Sequence, residues 1–244
     1  MTMKIVRILE LLRTPGAIFA LFKWPIFSLA AYHLVSRAKL AGVHPKSVVD
    51  IGANVGQFSI ASLNLFHGID VYSVEPNPEA AVLLKKNLGE GLTSNIHVVA
   101  VGSSIGSVEF NLNHDSQVSS VLPLGEDRIQ FFPNSTVKKT IMVPMTTLDN
   151  LFGNSDLELP ILLKIDVQGL EDQVISGGKF FLSSVRWILI EVSFADLYKG
   201  ERDFMSIVEL LARTGFKFVR PLNFHTSPKT GEIIEMDALF ESNV

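Results

Sequence analysis

The chain has 244 residues, 47% of them hydrophobic and 19% charged, which is enough apolar material for one medium α/β domain with an extension. Its net charge of −4 offers phosphates no general attraction and argues against a nucleic-acid partner. The absence of cysteine excludes a disulfide scaffold, a thiolate nucleophile and a Cys-ligated zinc site.

In chain order, residues 1–42 read as a helical extension. Lys4, Arg7 and Arg13 flank Ile5, Ile8, Leu9, Leu11 and Leu12, and residues 15–35 are almost continuously apolar. A membrane span wants about 20 apolar residues with no charge near the middle. Lys23 sits there, and Pro15 and Pro25 break the run. Pro25 also makes Ser28-Leu29-Ala30 a poor signal-peptide cleavage site. Two expectations follow, with a true span or signal as the remaining alternative. The extension packs on the domain as a lid, or it lies in a headgroup layer, where bases beside Trp24 and Phe27 belong. The expected location is cytoplasmic, and the second expectation adds peripheral contact with the inner face of the membrane.

Residues 43–244 alternate strand and helix. Strands are expected at 48–51, 71–74, 97–101, 161–165 and 187–191, and late ones at 216–219 and 236–240. Helices are expected at 57–66, 79–88, 170–182 and 203–214. Runs buried on both faces and joined by helices predict an α/β fold with a doubly wound, mostly parallel sheet. An insertion at about 107–145 breaks the rhythm. It reads as a strand at 107–113, a polar, turn-rich stretch at 113–136, and a strand at 140–145. It is expected over the C-terminal edge of the sheet, where such folds bind ligands.

The first strand runs into Asp50-Ile51-Gly52-Ala53-Asn54-Val55-Gly56. A glycine turn opening a helix lets a ligand approach the backbone. The spacing is not the G-x-G-x-x-G of dinucleotide binders. Asp50 would repel a pyrophosphate and favour a cationic amino group. The second strand ends in Glu75, where an acid can accept hydrogen bonds from ribose hydroxyls. S-adenosylmethionine has an amine, a sulfonium and a ribose but no phosphate, so Asp50 suits its methionine end and Glu75 its ribose. The alternative is a plain strand-to-helix turn, with Asp50 capping the helix or paired with Lys164. Asp166 ends a central strand and suits either a general base or, with Glu191, a ligand set for a divalent ion. Lys164 projects to the same face as Asp166, so an ion pair between them is the competing role. His114, in the insertion, and His225, read as lying in a loop after the sixth strand, are both within reach of the crevice as bases.

Several motifs resemble methyltransferases of the FkbM family, a branch of the S-adenosylmethionine-dependent class I enzymes. They are VDIGANVGQFS from Val49, VEPNPEAAVLLKKN from Val74, AVGSSIGSVEF from Ala100, SSVL from Ser119, TTLDNL from Thr146, LLKIDVQGLEDQVISGG from Leu162, IEVS from Ile190 with YKG from Tyr198, and DALFE from Asp237. The resemblance runs from about residue 43 to the end. It implies a Rossmann-like seven-stranded sheet whose last strand is antiparallel. It also implies methyl transfer to a hydroxyl on a sugar, polysaccharide or natural product. On this reading S-adenosyl-L-methionine is held by Asp50, Gly52, Asn54, Gly56, Ser59, Glu75, Pro76, Asn77, Ala100, Asp166 and Gln168. Asp166, Glu191 and His225 serve the reaction, and Ser119 and Ser120 line the pocket. No residue is assigned to a metal, and a divalent ion is the less favoured addition. The alternative is a binding or scaffold protein at a membrane surface whose methyltransferase-like domain no longer turns over.

Overall fold

All five residues of Ser47–Ile51 are buried, and a strand buried on both faces belongs in the middle of a sheet with helices on either side. The computed structural model, which describes residues 11–12, 14, 16–114, 116–131, 135–227 and 230–243, puts it there. Lys4, Arg7, Arg13, Ile5, Ile8, Leu9 and Pro15 lie outside the described residues.

The elements begin with α1 (Ala17–Lys23), α2 (Leu29–Leu40), β1 (Ser47–Ile51), α3 (Gln57–Leu65), β2 (Asp70–Val74), α4 (Pro78–Leu88) and β3 (Ile96–His97). Next come β4 (Ala100–Val101), β5 (Gly106–Asn113), α5 (Glu126–Phe131), β6 (Val137–Thr146) and α6 (Leu148–Phe152). The chain continues through β7 (Ile161–Ile165), α7 (Glu171–Ser176), β8 (Val185–Ser193), α8 (Phe204–Arg213), β9 (Phe216–Thr226) and β10 (Ile233–Ser242).

The main sheet has seven strands in the order β3-β2-β1-β7-β8-β10-β9. The pairs β3-β2, β2-β1, β1-β7 and β7-β8 are parallel, and β10 is antiparallel to both its neighbours. This is the expected Rossmann-like sheet with its antiparallel last strand. Strand order reverses between β1 and β7, so the crevice at their C-terminal ends is a topological switch point, where open α/β sheets bind ligands.

Alternate residues feed two cores. Val49, Ile51, Leu163, Ile165, Ile188 and Ile190 face one side, with Val174 of α7 and Ile207 and Leu211 of α8. Val48, Leu162, Leu189 and Leu239 face the other, with Phe58 of α3 and Leu34, Val35 and Ala38 of α2. The second helix of the extension therefore shares the sheet's own core. Ser28 starts it by accepting a hydrogen bond from the Ala31 amide at 3.3 Å, an N-cap.

Four local expectations change. The strand expected at 97–101 is two short ones, because β4 leaves the main sheet to join a three-stranded sheet ordered β4-β6-β5. The helix expected at 170–182 stops at Ser176. A Cβ on Gly177 would lie 2.2 Å from the Gly102 carbonyl oxygen, so that backbone passes too close for anything but glycine. The polar stretch 113–136 contains α5. The late strands run longer than expected, and His225 lies on β9 rather than in a loop.

Candidate active site

A cavity of about 770 Å³ opens over the C-terminal ends of β2, β1, β7 and β8. The insertion contributes Phe110, Ser116 and Ser119 to its wall, and α2 with its N-cap contributes Ser28, Ala31 and Leu34.

Its first side is built on β1. Asp50 is fully buried between Ser73 on β2 and Lys164 on β7, its neighbours in register. Ser59 Oγ donates to Asp50 Oδ2 at 2.6 Å and lies 2.8 Å from Ser73 Oγ. Among the described residues Asp50 Oδ1 has no hydrogen-bond partner. Burial raises the Asp50 carboxyl above its ordinary value, against the opposing charge of Lys164. The turn that follows is fixed by contact. Gly52 has φ +86°, and a Cβ there would lie 1.8 Å from the Asp166 carbonyl oxygen. Asn54, also left-handed at φ +48°, donates its amide to Glu75 Oε2 at 2.7 Å. The Asn77 amide donates to Glu75 Oε1 at 2.8 Å. Burial pushes the Glu75 carboxyl up to about 7, although both amides favour its ionised form. Ser116 reaches down from the insertion to donate to Asn54 Oδ1 at 3.1 Å.

The second side is built on β7 and β8. The buried Lys164 ammonium lies 2.7 Å from Asp166 Oδ2 and 5.4 Å from the centroid of the Phe58 ring. Burial alone would lower the Lys164 pKa, but the Asp166 and Asp50 charges outweigh it and hold it above its usual value. Gln168 joins the groups around it. Its Nε2 donates to Asp166 Oδ1 at 2.7 Å and to Glu191 Oε1 at 2.8 Å, and its Oε1 accepts from the Tyr198 hydroxyl at 2.5 Å. Tyr198 thereby fixes which way the amide faces. Gln168 has φ +60°, a conformation non-glycine residues seldom take. Glu171 holds it there by accepting from the Val167 and Gly169 amides, while Ser120 donates to the Gln168 carbonyl at 2.5 Å. Glu191 is raised well above the usual carboxylate range by burial and by the charges of Asp166, Glu235 and Asp237.

The far end belongs to β9, β10 and α5. Glu235 takes His225 Nδ1 at 2.6 Å on one oxygen and faces Arg128 at 3.6 Å with the other. The Glu235 hydrogen bond raises the His225 pKa, against partial burial. Asp237, whose carboxyl burial pushes up to about 6, accepts from Asn223 Nδ2 at 3.3 Å.

Of the residues singled out in the sequence, Asp50, Gly52, Asn54, Glu75, Pro76, Ala100, Asp166, Gln168, Glu191 and His225 line this one cavity, together with Ser119. Gly56, Ser59 and Asn77 do not. Ser59 supports Asp50 from behind, Asn77 caps α4 through the Glu79 amide, and a Cβ on Gly56 would press on Leu84. Ser120 is fully buried behind Gln168. His114 borders a separate small depression beside Asn77. Tyr198, Arg128, Glu235 and Asp237 were not recognisable as site residues in the sequence. The signal for Tyr198 and Asp237 was motif membership alone, and Arg128 and Glu235 gave none. Among the described residues no group of three or more acidic or histidine side chains is arranged to hold a metal ion.

The comparisons with known proteins agree with this architecture. The chain is 28% identical over 170 residues to the 2-O-methyltransferase NoeI of Sinorhizobium fredii, covering 67% of this chain and 70% of that one. It is 26% identical over 172 residues to the hexuronic acid methyltransferase AglP of Haloferax volcanii, covering 69% of this chain and 65% of that one. The crystal structure of a methyltransferase FkbM from Methylobacillus flagellatus superposes with a TM-score of 0.50 at 16% identity, over 80% of this chain but 43% of that one. Residues 50–218, well over half the chain and spanning both sides of the cavity, match the methyltransferase FkbM domain, and the protein belongs to that family of S-adenosylmethionine-dependent methyltransferases.

Proposed function

We propose that the cavity transfers a methyl group from S-adenosylmethionine to a hydroxyl of a saccharide. The observation that carries this reading is the row of carboxylates at the C-terminal ends of four neighbouring strands, Glu75, Asp50, Asp166 and Glu191, around the Gly52 turn. The residues fit the cofactor. Asp50 Oδ1 is a buried acceptor on the cavity wall without a partner among the described residues, suited to an ammonium group. Each Glu75 oxygen takes one backbone N–H and keeps a lone pair for a ribose hydroxyl. Gly52 and Ala53 line the cavity at the turn. When bound, S-adenosylmethionine supplies a methyl group already activated on a sulfonium.

The protein's own work is to align the acceptor oxygen and take its proton. Asp166 is suited to both. Lys164 and Gln168 hold its carboxylate, and its side chain keeps 29% of its surface accessible. Glu191, beside it, has its charged form disfavoured and so can donate to the acceptor. His225 lies on β9, three strands from β7, which at about 4.8 Å per strand puts its backbone roughly 14 Å away. We assign it, with Glu235, to the distal part of the acceptor. The saccharide class draws support from the names of NoeI and AglP, one an O-methyltransferase and the other acting on a sugar acid.

The test has two parts. S-adenosylhomocysteine binding to the parent protein is measured by calorimetry, and tritiated methyl transfer is then followed to a panel of saccharides. Asp166→Asn should keep binding and lose about 10²–10⁴-fold in kcat, the range for a positioned acid or base. Absence of binding sinks the cofactor assignment, and undiminished turnover by Asp166→Asn sinks the role of Asp166.

A further inference from the structure

The N-terminal helices carry a surface that the cavity does not use. α1 turns Ala17 and Ala20 inward, where they cluster with Tyr32 and Trp24. It exposes Ile18, Phe19, Leu21 and Phe22, with Phe19 66% and Phe22 81% accessible. A helix apolar on both sides is stable where something other than water meets its outer face. Lys23 closes the helix, its ammonium 5.9 Å from the centroid of the Phe19 ring.

Charge is segregated the same way. Residues 1–46 hold seven Lys and Arg against Glu10 alone, a net +6, whereas residues 47–244 hold fourteen bases against 24 acids, a net −10. Such asymmetry marks a negatively charged partner for the basic part. Aromatic side chains beside bases on a short helix suit the headgroup layer of an anionic bilayer. A second copy fits less well, since a two-fold contact would set the basic segment against itself. No helix among the described residues is long and apolar enough to cross a membrane, so the contact is one of lying on the surface.

We infer that the protein docks on an anionic lipid bilayer through the outer face of α1, with Phe19 and Phe22 inserted among the lipids. The docking brings one wall of the cavity to that surface. Residues 24–28 connect α1 to α2 and span at most about 17 Å, and Ser28, Ala30 and Ala31 line the cavity.

The test is flotation of the full chain with vesicles of phosphatidylcholine, alone or mixed with phosphatidylglycerol. The protein should float with the mixed vesicles, less so in high salt and less so on phosphatidylcholine alone. Brominated lipid should quench Trp24 fluorescence, read in a Trp187→Phe background. The double variant Phe19→Ser with Phe22→Ser should lose about tenfold or more in vesicle partitioning, with its thermal melt and S-adenosylhomocysteine binding unchanged. The inference is overturned if the parent stays in the dense fraction, or if the double variant floats as well as the parent. Two such failures would name another occupant. The first is a parent that does not float and is a dimer which the double variant splits, and this assigns the face to a second copy. The second is flotation that appears only on deletion of residues 1–10, and this assigns it to that segment. Flotation needs no catalysis, so its failure and the failure of the methyl-transfer reading are separately visible.

Discussion

Lys164→Met is the most informative single change. The ammonium is buried against Asp166 at 2.7 Å and is the register neighbour of Asp50 across β1 and β7. Methionine keeps an unbranched apolar stem and removes the charge, with it the ammonium 5.4 Å from the Phe58 ring centroid. A pair of charges 4 Å apart is worth about 4 kcal/mol at an effective dielectric of 20. Asp166 is 29% exposed, so water recovers about half of that for this pair. Asp50 is fully buried and recovers little. Breaking a buried pair from one side costs about 3–5 kcal/mol, and with the Asp166 discount we expect a loss of about 3 kcal/mol near pH 8. The sign with pH follows from Asp50. Its carboxyl is already raised by burial, with Lys164 opposing. Without Lys164 the folded pKa rises further above the unfolded one, so the variant's folded state binds more protons and loses stability as pH rises. The deficit should therefore shrink as pH falls toward 5. Urea denaturation of parent and variant at both pH values measures it. A deficit below about 1 kcal/mol at the higher pH, or one that does not change between them, refutes the electrostatic account.

Three further outcomes are expected. Because burial holds Glu75 at about 7 while ribose hydroxyls favour its ionised form, S-adenosylhomocysteine should release a fraction of a proton from Glu75 near neutral pH and bind more tightly as pH rises through 7. Calorimetry in buffers of different ionisation enthalpy reads the release, and Glu75→Gln should abolish that part and weaken binding by roughly 10–100-fold. Tyr198→Phe removes the donor that orients the Gln168 amide and should lower kcat about tenfold with S-adenosylhomocysteine affinity unchanged; equal loss in both would mean a general folding defect. Gly52→Ala meets both a positive φ and a contact of 1.8 Å to the Asp166 carbonyl oxygen. It should cost more than about 4 kcal/mol, read as failure to fold or a collapsed thermal transition.

The β1 turn was legible because its information is local. A glycine forced to φ +86° and an acid after the next strand sit close together in sequence, and the period of two put Lys164 and Asp166 on one face. The Gln168 cluster was not legible, because much of its conformation is imposed by residues distant in sequence, Ser120 and Tyr198. The left-handed backbone depends on Glu171 and Ser120, and the amide's direction on Tyr198, thirty residues downstream. The misplacement of His225 has a different cause. Pro221 breaks the strand pattern after Val219, yet β9 is an edge strand, where proline is tolerated. The ladder accommodates it with a register shift opposite Asp237 and Ala238. Helix α7 stops at Gly177-Gly178, a local stop signal that the expected range 170–182 ran through, and Gly177 also meets the chain at Gly102, 75 residues earlier, which holds that position to glycine.

Charge in the cavity bears on the acceptor. Six carboxylates line it, from Asp50, Glu75, Asp166, Glu191, Glu235 and Asp237, against Lys164 and Arg128. Both bases face carboxylates, Lys164 toward Asp166 and Arg128 toward Glu235. A cationic cofactor lowers the energy of such a cavity, and an anionic acceptor raises it. Glu191, held well above its ordinary value, can donate near neutral pH, and its neighbours can accept. Carboxyls that donate and carboxylates that accept match a ring of neutral hydroxyls. For the saccharide acceptor proposed above, the electrostatics therefore favour a reacting ring that is uncharged.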